Sequence, residues 1–271
     1  MRRYLRFTIP IATLAILMLA GPVAAQSAAP GAGIYDSAHD FTRFNTVGGD
    51  GTNVEDVGLC TFCHTPHKAI ETQLLWNHKL SINSFDWSDS TTTQGGSDRA
   101  VIATTWAGPT KFCLSCHDGT VAIGDINWFD KQAWTGAGSE LNPVKHDGVN
   151  DPYRIAGAGG ELKGNHPVAH PFPFNGAGST YNGSTSGTMA VASGWVNDPG
   201  TLGIRLFTDD GTGGITAGGT ASMTGIECSS CHDPHNGAGK VYDAYFLRGK
   251  LTGNVATDAA TGYICLKCHV K

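Results

Sequence analysis

Cys60-Thr61-Phe62-Cys63-His64-Thr65-Pro66-His67 decides the reading of this chain, because its pattern returns as Cys228-Ser229-Ser230-Cys231-His232-Asp233-Pro234-His235. The first copy is followed by Leu74-Leu75-Trp76-Asn77 and then by Phe112-Cys113-Leu114-Ser115-Cys116-His117. The second is followed by Tyr245-Phe246-Leu247-Arg248 and then by Ile264-Cys265-Leu266-Lys267-Cys268-His269. Each half runs C-x-x-C-H-x-P-H, an aromatic-aliphatic patch, then apolar-C-L-x-C-H, which is one module present twice. The modules span about residues 35–135 and 140–271, inside one domain of residues 26–271. Each cysteine cluster is expected to start or sit on a short helix.

All eight cysteines fall into four C-x-x-C-H motifs. Two thiols three residues apart reach two vinyl groups on one side of a porphyrin, and the histidine that follows meets the iron. Zinc uses C-x-x-C pairs but gives no reason for a histidine after each. A disulfide framework suits an even cysteine count in an exported chain and gives no such reason either. The pattern predicts four haem c groups, tethered through Cys60, Cys63, Cys113, Cys116, Cys228, Cys231, Cys265 and Cys268, with His64, His117, His232 and His269 as proximal iron ligands.

Seven further histidines stand outside the motifs, whereas Met189 and Met223 are the only methionines beyond the leader. Histidine can fill every distal position and methionine cannot, so bis-histidine coordination is expected, with lower potentials than His/Met haems. His39, His67, His166 and His235 are the expected distal ligands. His67 and His235 each sit three residues past a proximal histidine, where each serves the other haem of a pair. His78 and His170 are reserves, and His146, between Lys145 and Asp147, reads as solvated. Iron with both axial positions filled has no open site, which predicts electron transfer and no enzymatic activity. A catalytic reductase is the competing reading.

Arg2, Arg3 and Arg6, the apolar run from Phe7 to Ala20 and the small residues Val23-Ala24-Ala25 lay out a secretory signal peptide over residues 1–25. The run is short for a membrane span and Pro10 interrupts it. The mature chain is expected outside the cytoplasm, extracellular or periplasmic, with no integral membrane segment. It then carries 15 basic and 23 acidic residues, net −8, which argues against nucleic acid as a partner. Redox proteins with basic patches, such as other cytochromes and reductases, suit that charge.

Glycine is frequent, at 37 residues, and aliphatic residues are scattered. The expected fold is mostly irregular coil with short α-helices and a small β-hairpin, its core formed by the haems at about 25 cal/mol per Å² of apolar surface buried. Residues 99–106 read as strand or helix, and Ile204 to Phe207 as a strand ending in a turn at Asp209-Asp210-Gly211. The stretch from Gly176 to Gly225, rich in Gly, Ser and Thr, reads as surface loop.

His39-Asp40-Phe41, the Cys60–His67 motif, Leu75-Trp76-Asn77, Cys116-His117-Asp118-Gly119-Thr120, His166-Pro167-Val168, the Cys228–His235 motif and Phe246-Leu247-Arg248 together resemble the multihaem c-type cytochromes with doubled C-x-x-C-H motifs. The likeness runs from about Tyr35 to the C-terminus. It implies export by a bacterium that respires metals, minerals or other extracellular acceptors. Among tetrahaem members of similar length are subunits of extracellular cytochrome nanowires, the OmcE-like filaments. There one haem takes its distal histidine from the next subunit. The resemblance implies that this chain can polymerise, with His39 as the ligand supplied to a neighbour.

Overall fold

The computed structural model describes residues 33–34, 37, 39–40, 59–67, 69, 71, 73–93, 98–119, 154–157, 159–186, 194–235, 246–250 and 262–270, together with the backbone of 126–128 and 131–133. The expected signal peptide, His146 and Met189 lie outside the described residues.

Antiparallel pairing organises much of the chain. Strands β1 (Ile126–Trp128) and β2 (Lys131–Ala133) form one hairpin. Strands β4 (Thr180–Tyr181) and β5 (Ser184–Thr185) form a second. A four-stranded sheet has the order β3-β8-β6-β7, built from His170–Pro171 (β3), Phe207–Asp209 (β6), Ile215–Ala217 (β7) and Thr224–Ile226 (β8). Its register sets His170 opposite Ile226 and Phe207 opposite both Gly225 and Ala217. Helix α1 covers Pro109–His117, and the single turn α2 covers Cys228–Cys231.

This sheet overturns the expectation of a coil-dominated chain with one small hairpin. Among the described residues 22% are strand and 16% helix. The correction falls hardest on Gly176 to Gly225, read as loop, which contains β4 to β7 and the start of β8. Its polar residues make turns. Asn182 and Gly183 both have positive φ, 49° and 69°, as a two-residue hairpin needs. At the β6–β7 turn the Asp209 carboxylate accepts from the Gly211 N–H (2.9 Å), and Asp210 accepts from the N–H groups of Thr212 (2.7 Å) and Gly214 (3.0 Å). The expected strand at Ile204 to Phe207 begins later, at Phe207, and its predicted turn is in place.

Ordinary side chains build an interior, which also departs from the expected haem-only core. One cluster joins Phe85, Trp87, Ile102, Leu114, Ala156, Leu162 and Ala169. A second joins Phe172, Phe174, Ile204, Leu206 and Ile226 against Trp195, Ile264 and Cys268. Phe85 and Ile102 exchange backbone hydrogen bonds of 2.9 Å in both directions, so the 99–106 stretch is extended there. In β8, a side chain at Gly225 would overlap the Tyr181 ring, which lies directly over its Cα. No helix among the described residues is long and apolar enough to cross a membrane.

Candidate functional site

All four cysteine motifs adopt the same local shape, one turn of helix. The His64 N–H donates to the Cys60 carbonyl (2.9 Å), His232 to Cys228 (3.0 Å) and His269 to Cys265 (2.9 Å). The second motif, Cys113 to His117, forms the end of α1, started by Pro109 at its first turn. One helical turn places i and i+3 on the same face and the next residue beside them. Each motif thus sets out two thiols and an imidazole along one side.

The sequence repeat is also a repeat of hydrogen bonds. In the first half Thr65 N–H donates to Leu75 O (2.9 Å), Asn77 N–H to Cys63 O (2.9 Å) and Asn77 Nδ2 to Thr61 O (2.9 Å). In the second half Asp233 N–H donates to Phe246 O (2.7 Å), Arg248 N–H to Cys231 O (2.8 Å) and Arg248 Nε to Ser229 O (3.1 Å). Leu75 and Phe246, equivalent in this match, both take positive φ, 53° and 57°. Such a φ is strained for a bulky residue. The strain turns the aromatic-aliphatic patch back onto its motif, and it brings the Leu74 carbonyl within 2.7 Å of His64 Nδ1. That contact engages Nδ1 and leaves Nε2 as the nitrogen open to a metal.

Three expected distal histidines stand opposite proximal ones. Ring centroids are 6.1 Å apart for His64 and His235, 6.1 Å for His39 and His117, and 6.4 Å for His166 and His269. Two imidazole nitrogens bonded at about 2 Å to opposite sides of one metal put their ring centroids roughly 6 Å apart. The three spacings therefore fit an iron between each pair. Aromatic side chains brace them. Phe246 stacks on His39 at 4.5 Å with 19° between planes, Trp195 lies 4.4 Å from His269, and Trp76 meets His64 edge-on at 5.6 Å. Trp76 is itself fixed by its Nε1–H, which donates to Ser115 Oγ (3.2 Å).

The remaining histidines sort differently. His235 crosses from the second half to the first, where its position in the repeat suggests a partner inside its own half. His67 is exposed and joins none of the three pairs. His39 lies against His117 of its own chain, not extended as an arm towards a neighbour. The reserves are interior: His78 is fully buried between Phe62 (5.3 Å) and Trp76 (5.5 Å). His170 is buried in β3, its Nδ1 makes no hydrogen bond, and its pKa is pushed down to about 4, by burial first and then by His166 and Arg99.

The motifs are contiguous. Cys63 is close enough to Cys116 to feel its charge, Cys113 hydrogen-bonds Cys228, and Cys231 lies near Cys265 and Cys268. The sulfurs thus run in chain order from the first motif to the fourth. None of the eight is in a disulfide. Burial is the main cause that raises Cys63 and Cys268 to about 12 and Cys116 and Cys231 to about 11. These four are thiols at neutral pH, unlike metal-binding thiolates. Among the described residues no three or more His, Cys, Asp or Glu side chains converge as a metal cluster.

A cavity of about 180 Å³ opens on the third motif. Cys228, Cys231 and His232 form one wall, and Leu114, Leu162 and Val168 form an apolar one, with His166 at its edge. Beside it lies Glu227, a residue the sequence reading passed over. The carboxyl is buried and accepts from Tyr181 Oη (2.8 Å), Thr110 N–H (2.9 Å) and Trp106 Nε1 (3.2 Å). An acidic residue directly between the apolar end of β8 and a cysteine motif was the available signal. No protein-family model and no curated protein matches the chain.

Proposed function

We propose that this chain carries four covalently bound c-type haems and transfers electrons through them. Cys60 and Cys63, Cys113 and Cys116, Cys228 and Cys231, and Cys265 and Cys268 tether them as thioethers, and His64, His117, His232 and His269 are the proximal iron ligands. His235, His39 and His166 are the distal ligands opposite His64, His117 and His269. When bound, the haems supply reversible one-electron iron chemistry. The chain would hold three of the groups between paired imidazoles, His64 with His235, His117 with His39 and His269 with His166, and packs aromatic rings beside those imidazoles.

The single observation that carries this reading is the spacing of the three histidine pairs, 6.1 to 6.4 Å between centroids. Each pairs a motif histidine with a histidine outside the motifs. Zinc chemistry or a disulfide framework gives no reason for that geometry. The succession of neighbouring sulfurs supports a single row of haems in chain order, with an exposed end for exchange with other redox proteins. The resemblance to tetrahaem nanowire subunits supports a role in extracellular or periplasmic electron transfer, as a carrier or as a filament subunit.

The test is protein matured in a host that attaches haem. Expected are the added mass of four haems and a low-spin spectrum with both axial ligands on the three paired irons. A mature chain without added haem mass refutes the proposal. Extensive high-spin haem that binds carbon monoxide at the paired irons favours the reductase reading. Electron microscopy of the secreted fraction distinguishes filament from carrier.

A further inference from the structure

We infer that Glu227 is a redox-linked proton site: its carboxylate binds a proton when the haems tethered at Cys113-Cys116 and Cys228-Cys231 are reduced and releases it when they are oxidised. The inference rests on the haem reading above and adds a proton to its electrons.

Glu227 sits at the joint between two motifs. It immediately precedes Cys228, and its carboxylate caps the first turn of α1, which ends in the Cys113 motif. The Cys228 N–H in turn donates to Thr110 Oγ1 (3.0 Å), so one hydrogen-bonded knot joins both motifs. Only 1% of Glu227 is exposed. Every donor to the carboxylate is neutral: Trp106, Tyr181, Thr110 and the backbone of Ser230. Among the described residues no lysine or arginine forms an ion pair with it.

The other titratable groups around it add no compensating charge. Tyr181 on β4 shares its proton with the carboxylate, and Asp209 on β6 acts on Tyr181 from beyond. Cys113 and Cys228 are the thioether positions. Lys111 on α1 turns its ammonium to the Asn83 carbonyl (2.7 Å). His166 and His232 stand across the cavity that Glu227 helps to line.

A buried carboxylate held only by neutral dipoles is poised between its two forms, because donors favour the anion and desolvation disfavours it. Desolvation wins here, and Glu227 is raised above the usual carboxylate range. Ferric haem carries one more positive charge than ferrous haem. The carboxylate anion is therefore favoured beside oxidised haem and the acid beside reduced haem. The step balances as one electron from a redox partner onto iron and one proton from solvent onto a Glu227 oxygen. No other bond forms or breaks.

The experiment is redox titration of the haem-loaded protein from about pH 5 to about pH 9, wild type against E227Q. In wild type part of the titration is expected to fall with rising pH. The limit is about 59 mV per tenfold change in proton concentration, the one-electron equivalent of tenfold. E227Q is expected to lose that slope, with the affected potentials raised at high pH where wild type carries the anion. Y181F removes a donor to the anion and is expected to move the sloping region to higher pH. Infrared difference spectra of wild type, reduced minus oxidised, are expected to gain a carboxylic acid band. E227Q with an unchanged slope overturns the inference, since the haem propionates then carry all the pH dependence. Should E227Q fail to mature, an absent acid band together with an unmoved Y181F profile overturns it equally. Failure of the haem reading itself shows earlier, as missing haem mass before any titration.

Discussion

His235→Ala separates the ligand geometry from mere proximity. His235 faces His64 at 6.1 Å between centroids with 26° between ring planes, a spacing that fits two imidazoles on one metal. The other two pairs, His39 with His117 and His166 with His269, do not include it. On the proposed haem reading, removing the ring opens one axial position at one iron of four. Carbon monoxide uptake by the reduced protein should therefore rise by about one haem equivalent in four. His235 is exposed, so the fold should lose no more than about 0.5 kcal/mol, a change of roughly 1–2 °C in melting temperature. Added imidazole should fill the vacated position and restore the low-spin spectrum. The assay is carbon monoxide difference spectroscopy with haem quantified on the same sample, and H67A serves as comparison. The reasoning fails if H235A gains no carbon monoxide-binding haem, or if it gains one that imidazole does not close while H67A behaves identically.

Further outcomes follow from other parts of the structure. G225A drives a methyl into the Tyr181 ring and should cost about 1–3 kcal/mol, read by chemical denaturation. N77A loses the Nδ2 donor to Thr61 O and should cost about 1 kcal/mol; R248A, its counterpart, should cost more, because Arg248 also pairs with Asp233 at 3.1 Å. His170 is depressed from 6.5 to about 4 by burial, so the unfolded chain binds its proton first as pH falls. Stability present above pH 6.5 should decline by roughly 2–3 kcal/mol on acidification to pH 4, and H170F should flatten that part of the melting profile.

The local shape of the motifs was more legible in the sequence than the fold. Cysteine spacing announces the shared turn at all four motifs, because that turn is set within a few residues. The repeat did not announce the crossing of His235 to the opposite half, because equivalent positions inside one module cannot say which module they meet. His67 shows the limit: the same position in the repeat carries the same letters, yet that ring joins none of the three histidine pairs. The sheet was missed because its strands are only two or three residues long, too short for a period-2 pattern. Glycine and serine content hid it further, although Tyr181-Asn182-Gly183-Ser184 is a hairpin signal. The side-chain core was missed because its members are scattered from Phe85 to Ile226 and meet only through long-range contacts. Glu227 went unread because a lone acidic residue announces nothing until its buried partners are in place.

The hydrogen-bonded turns that repeat in the two halves do not make those halves self-sufficient. The ring of His235 reaches from the second to the first, Phe246 covers His39, and Glu227 grips Trp106 and Thr110. The duplicated units are interleaved, each finishing the other. Severed between Ala133 and Arg154, the polypeptide should behave as two complementary fragments that bind each other, and neither should mature alone into a working half.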